Sequence, residues 1–169
     1  MSGASAIEFA LLAPVLCLVF AGMVDLGLVL YIRLSLNQAA STGANYALVN
    51  GDAVSSAGGS ALAASLVAMV PGAYDAAVVI NNGPSLRRVK GVATAAGTAA
   101  SADACYCPQI AQAAVSWGSA ATCGATCAGG GIAGKYVVLT VSEAYSPMFG
   151  NGVVSNGVIS VRAIAEALQ

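Results

Sequence analysis

Histidine is absent from the 169 residues, and charge of either sign is scarce: six Lys and Arg stand against seven Asp and Glu, 8% of the chain. The missing imidazole removes the commonest general base and the commonest metal ligand. So little charge, with so much apolar residue, excludes a disordered polyelectrolyte. The densest basic group is Arg87, Arg88 and Lys90, and the net charge is −1. Nucleic acid, which is bound by neutralising phosphates, is therefore excluded as a partner. Catalytic signatures are missing too. There is no G-x-S-x-G, and Ala-Gly-Gly-Gly-Ile at 128–132 does not lead into Lys-Ser/Thr. Asp52, Asp75, Asp103, Glu143 and Glu166 are scattered along the chain. The expectation is a protein that is not an enzyme and carries no cofactor or metal.

What is abundant is apolar residue, 58% of the chain, with a mean hydropathy of +0.81. Alanine (37 residues) and glycine (20) inflate that figure, because neither buries much area. Large aliphatic side chains concentrate near the N-terminus. Phe9 to Ile32 is 24 residues with Asp25 as its one charge. At about 1.5 Å per residue it reaches about 36 Å, enough to cross a hydrocarbon layer of about 30 Å. The chain is too small to surround so long a helix. The run also exceeds the 7–15 or so residues of a signal-peptide core, and Met1-Ser2-Gly3 lacks its basic flank. We therefore expect a retained single-pass anchor.

Helical character continues through residues 33–48. Leu36, Ala40, Gly43, Ala44 and Ala47 form a small-residue stripe, with Asn37, Ser41 and Asn45 on a polar face. Such a stripe lets a sheet approach closely. Pro14, which lacks a backbone donor, is where this helix would bend. Ala6, Ala10, Ala13, Cys17 and Ala21 recur at helical spacing, a seam suited to close helix packing in lipid.

Two carboxylates break the greasy run. Asp25 deep within it would cost about 2.5–3.5 kcal/mol at a membrane centre, so it calls for a polar partner on another helix, protonation, or a hydrated position near the outer interface. Glu8 stands in Gly3-Ala4-Ser5-Ala6-Ile7-Glu8-Phe9. That string resembles the processing site of type IV prepilins, with glycine, four residues, glutamate, an aromatic and a long apolar helix. Cleavage after Gly3 would give Ala4 a cationic amino group. Glu8 of an adjacent subunit could neutralise it in low dielectric, setting the axial register.

The longer pattern is similar to the TadE-like family of minor pilins, or pseudopilins, of tight-adherence pili. It is carried by Ala6-Ile7-Glu8-Phe9-Ala10, Pro14, Gly22-x-x-Asp25-x-Gly27 and Ala39-Ala40-x-x-Gly43-Ala44-x-Tyr46-Ala47. The resemblance implies a prepilin peptidase, other pilin subunits and the inner-membrane assembly machinery as partners. It also implies a bacterial inner-membrane location with the C-terminal domain periplasmic, or incorporation into the surface pilus. Arg33 alone, by the positive-inside rule, favours the opposite orientation. Leaders of this family carry Lys or Arg before the glycine and Met1-Ser2-Gly3 does not, so a start further upstream or a trimmed leader is expected. The competing reading is a single-pass anchor that presents a binding or adhesion module outside any pilus.

Residues 49–169 read as the exported domain, after 1–3 as a leader remnant, 4–32 as the membrane part and 33–48 as the helix continuation. Residues 49–60 suggest a flexible turn or short linker, and Ala61 to Val70 a short helix stopped by Pro71-Gly72. Strands are expected at Ala76 to Asn81, Leu86 to Thr94, Ala104 to Cys107, Tyr136 to Ser142 and Val158 to Leu168. Alternation in the last two gives an antiparallel sheet half open to water, its inner face on the helical stripe. The fold class is thus α+β, with a long spine helix and a small antiparallel sheet. Cys17 reads as an apolar packing residue. Cys105, Cys107, Cys123 and Cys127 suggest two disulfides stapling 105–127, each C-x-C member pairing with Cys123 or Cys127. Their spacing is wrong for a zinc knuckle, and Trp117 reads as a local packing anchor.

Overall fold

The structure, a computed structural model, describes residues 4–111, 114–148, 154 and 157–167; at 4–6, 110 and 111 it describes the backbone alone. Helix α1 (Ala4–Val49) runs 46 residues through Pro14 without interruption. Its end is set by Asn50, whose backbone N–H and side-chain amide both donate to the Tyr46 carbonyl. A 3-10 turn at Gly51–Ala53 then reverses the chain. Of the flexible turn or short linker expected at 49–60, the structure shows a turn, packed on the core. Val54 is buried in the core, and the Ser55 hydroxyl accepts the Gly58 N–H.

Helix α2 (Gly59–Met69) buries Gly59, Leu62, Ala63, Leu66 and Val67, one stripe at helical spacing. Pro71 forbids its continuation. The open carbonyls are taken by Arg88, which donates to Val67, Val70, Pro71 and Tyr74 at 2.8–3.2 Å. A cation at a helix C-terminus also suits the helix dipole.

The main sheet has five antiparallel strands in the order β3-β2-β1-β6-β7. These are β1 (Asp75–Ile80), β2 (Ser85–Val89), β3 (Val92–Ala96), β6 (Lys135–Ala144) and β7 (Val158–Ala167). A two-stranded ribbon, β4 (Gln109–Ala111) and β5 (Ala114–Ser116), stands apart. β6 and β7 pair from Lys135 with Ala167 to Ala144 with Val158. Val137, Leu139 and Val141 then share an inner face with Ala76, Val78, Ile80, Ile159 and Ala165, all buried on the helices. The expected α+β arrangement is found: a long apolar helix with the antiparallel sheet packed on it.

Three expectations need correction. Leu86 to Thr94 is not one strand but a hairpin turned at Lys90-Gly91, where both φ values are positive (47° and 80°), as a tight two-residue hairpin requires. Ala104 to Cys107 makes only isolated bridges, Cys105 with Ala121 and Tyr106 with Gly134. Pro108 has no N–H to extend them. Asn81 lies outside β1, at φ 48°.

Close approach of sheet to helix centres on Gly43. A Cβ there would stand 2.3 Å from the buried Leu139 Cδ2, whereas one at Gly27 would meet nothing within 4 Å. Gly43→Val should therefore destabilise the full-length protein by about 1–3 kcal/mol, the usual cost of overpacking. Gly27→Ala should be neutral or slightly stabilising, as expected of alanine in an open helix site. Thermal unfolding in detergent micelles measures both, and equal midpoints for the two variants would refute the packing account.

Candidate functional site

The residues singled out by sequence fall into two groups along α1. Glu8, Phe9, Ala10, Pro14 and Cys17 are exposed, with Ala13 and Ala21 partly so. No part of the described domain covers them. Gly3 lies outside the described residues, and the side chains of Ala4 and Ala6 do as well. An exposed helix this apolar is unstable in water. Its 18-residue window reaches a mean hydropathy of 2.4, and α1 is long and apolar enough to cross a membrane. A single-pass membrane anchor accounts for it.

Asp25 belongs to the other group. It is only 4% exposed, although it sits among lipid-type residues. Its partner is in the same chain rather than on another helix. The Tyr145 hydroxyl, just past β6, donates a short hydrogen bond to the carboxylate, and the Met148 backbone N–H donates to the same oxygen at 3.3 Å. Tyr145 is also 3.3 Å from the Asp25 carbonyl. Its own N–H donates to Gly157 at 2.9 Å, so the phenol is held where the sheet ends. Above Asp25 the covered helical face continues through Val29, Leu36, Ala40, Gly43 and Ala47. Asn37, Ser41 and Asn45 remain exposed on the polar face.

Sequence reading missed Tyr145. The usable signal was a lone phenol between the alternating run of β6 and Pro147, a position where a strand has ended and its last side chain can turn back to the helix.

The second cluster is the cystine loop. Cys105 pairs with Cys123 and Cys107 with Cys127, with Cα separations of 5.1 and 5.7 Å. All four thiols are consumed, which replaces the zinc reading. Among the described residues no group of three or more His, Cys, Asp or Glu could hold a metal ion. Buried Asn81 ties this loop to the sheet. Its amide donates to the Ala102 and Ala104 carbonyls at 2.9 and 2.6 Å, and its oxygen accepts the Tyr136 N–H at 3.2 Å. Trp117 meets Tyr106 edge-on, with ring centroids 5.9 Å apart. It lines the sheet's outer face beside Val79 and Val138, a packing role. Asp103 accepts the Ser56 N–H at 2.7 Å, and that bond draws its carboxyl below the usual range.

A cavity of about 720 Å³ opens beside this loop, bordered by Cys127, Gly129, Tyr136 and Glu166. Burial first, and the Glu166 charge second, push the Tyr136 phenol above its usual range. Its hydroxyl donates to the Ile132 carbonyl at 3.1 Å, and the Glu166 side chain lies beside it.

Comparison with known proteins gives one finding. Residues 3–45 match the family model described as TadE-like protein, 43 of the 169 residues. The match spans Glu8, Pro14, Asp25 and Gly43. No curated protein and no solved structure matches the chain.

Two outcomes follow. Peptide mapping without reductant should recover the 105–123 and 107–127 cross-links with Cys17 free. Replacing both members of either pair by serine should lower stability by about 2–5 kcal/mol. Recovery of 105–127 with 107–123 would show the loop to be threaded differently. The hydrogen bond to Asp25, ahead of burial, raises the Tyr145 phenol above its ordinary value. A raised phenol contributes stability that is whole below the unfolded value of about 10 and is lost as pH rises through the folded value. Alkaline unfolding of the wild type should therefore show a loss that Tyr145→Phe, already less stable at neutral pH, does not. Coincident pH profiles would show that the phenol does not engage Asp25.

Proposed function

We propose that this chain, whose first quarter matches the TadE-like family, is a membrane-anchored minor pilin of a tight-adherence pilus. In this reading a prepilin peptidase cleaves after Gly3. The anchor lies in the bacterial inner membrane, and the sheet domain stands in the periplasm. Its partners are other pilin subunits and the assembly machinery.

The observation that carries the reading is the uneven covering of α1. Above Asp25 one face is buried by the chain's own sheet; below it, from Ile7 to Val24, the helix is almost bare. A rod left bare over that length, behind Gly-x4-Glu, suits packing beside similar rods in lipid. Seam residues Ala10, Ala13, Cys17 and Ala21 would permit close contact. Glu8, exposed and at the fifth position after Gly3, would meet a neighbour's Ala4 amino group. In low dielectric such a pair is strongly favoured over a charge left alone. Phe9, Pro14 and Asp25 would fix where along the rod that contact falls. Two cystines suit an oxidising compartment. The domain would then serve at the tip, at the base or in initiation, since it projects well beyond the packed helices.

The test is N-terminal sequencing of the membrane-purified protein, with assembly assays on two variants. The expected terminus is Ala4. Gly3→Leu should leave the chain at its uncut mass. Glu8→Ala should insert in the membrane yet reduce piliation at least tenfold, if the pair is worth about 1.4 kcal/mol or more. An uncut wild-type terminus with normal piliation in Glu8→Ala would instead favour a plain anchored binding module.

A further inference from the structure

Among the described residues outside α1, the large apolar side chains left exposed are Met69, Val92, Ile132, Met148 and Val158. All but Ile132 lie toward one end of the sheet. Val158 is on the last rung of β6 and β7. Met148 follows β6 and reaches Asp25 through its N–H. Val92 adjoins the Lys90-Gly91 turn, and Met69 ends α2, whose last carbonyls Arg88 binds. Arg88, Ala76, Val141 and Val161 form one cross-strand row just inside this end. Val92 is on the edge strand β3, far across the sheet from β7, whereas Met148 and Val158 both adjoin the β6–β7 end that is tied to the helix.

The length of the helix says what lies against that edge. From Phe9 to Val24 it rises about 24 Å, short of a hydrocarbon layer of about 30 Å. With Glu8 at the inner boundary, the outer boundary falls near Leu28, above Asp25. Val24, Leu26 and Leu28 are exposed at that level, as lipid-facing residues should be. The Tyr145–Met148 segment is tied to Asp25, so it is held at a depth where water has given way to lipid.

We propose that this edge of the domain, centred on Met148 and Val158, is immersed in the outer interfacial layer of a phospholipid bilayer. The proposal rests on the membrane-anchor reading above. The contact makes the domain sit flush on the membrane and turns the single-pass anchor into a two-point attachment. Met148, 70% exposed, supplies a flexible apolar side chain to the acyl boundary. Tyr145 keeps its phenol on Asp25, so that carboxylate does not face lipid unpaired.

The test uses the full-length chain with Cys17→Ala, so that one new thiol at a time carries an environment-sensitive nitrobenzoxadiazole label. The positions are M148C, V158C, V19C in the bare helix and V49C at the helix top, where Val49 is 85% exposed. Each labelled protein is reconstituted in phosphatidylcholine–phosphatidylglycerol vesicles with lipids spin-labelled at a shallow or a deep acyl position. V19C should be quenched by the deep label and V49C by neither. M148C and V158C should lose about half their emission to the shallow label, as expected of groups about 5–10 Å into the headgroup boundary. If V19C is quenched while M148C and V158C behave like V49C, the anchor stands and the immersion is refuted. If M148C is blue-shifted yet unquenched by either lipid, a protein partner covers the edge and the proposal fails. Absence of quenching at V19C would overturn the anchor reading and this proposal with it.

Discussion

The seating of β6 and β7 on one stripe of α1 is the contact on which the remaining architecture rests. Apolar burial alone would let a sheet slide along a helix, because it is proportional to area and indifferent to direction. Two local features remove that freedom. Near the top, Gly43 forms a notch that Leu139 fills. Eighteen residues lower, about 27 Å along the axis, the Asp25 carboxylate takes the Tyr145 phenol. A steric lock and a polar lock so far apart fix translation and tilt together. α2 then closes the inner side, with Leu62 and Leu66 against the same core.

The outer part of the domain is held by different means. Residues 97–134 are rich in alanine and glycine, and among the described residues they contribute few buried side chains: Ala102, Cys105, Tyr106 and Ala133. A segment this poor in large apolar groups cannot offset its own ordering entropy by burial. The two cystines shorten the unfolded ensemble, and Asn81 spends its whole amide on carbonyls and an N–H of the loop and β6. A left-handed φ at Asn81, tolerated by asparagine better than by most residues, directs that amide outward from the end of β1.

What could be read from the sequence was whatever repeats with a period. The helix announced itself through an unbroken apolar run, the stripe from Leu36 to Ala47 through its 3.6 spacing, and β6 and β7 through alternation. Features depending on one residue's backbone state were hidden. Lys90-Gly91 lacks the Asn-Gly signature of a two-residue hairpin, so β2 and β3 looked continuous. The β4 and β5 ribbon is too short to show a pattern. Asp25 was recognisable as a buried charge wanting a partner, but its partner is 120 residues away in sequence. No local pattern encodes a contact at that separation. Arg88 was likewise visible only as part of a basic triplet, although its guanidinium closes α2 from the far side of the β1–β2 turn.

The fates of the two helix carboxylates differ for a physical reason. A buried carboxylate is tolerated when donors saturate it, and otherwise costs several kcal/mol. Asp25 receives an O–H and an N–H from its own chain, so its hydrogen-bond donors are supplied within the chain. Glu8 has no partner among the described residues and stands on the bare part of the rod. On the proposed reading that division is functional. Asp25 fastens the domain to the helix at a set depth, and Glu8 remains available to fasten the helix to a second subunit. A helix that spent both on itself would have no directional contact to offer. One that spent neither would carry a domain free to slide, and no defined depth at which to present it.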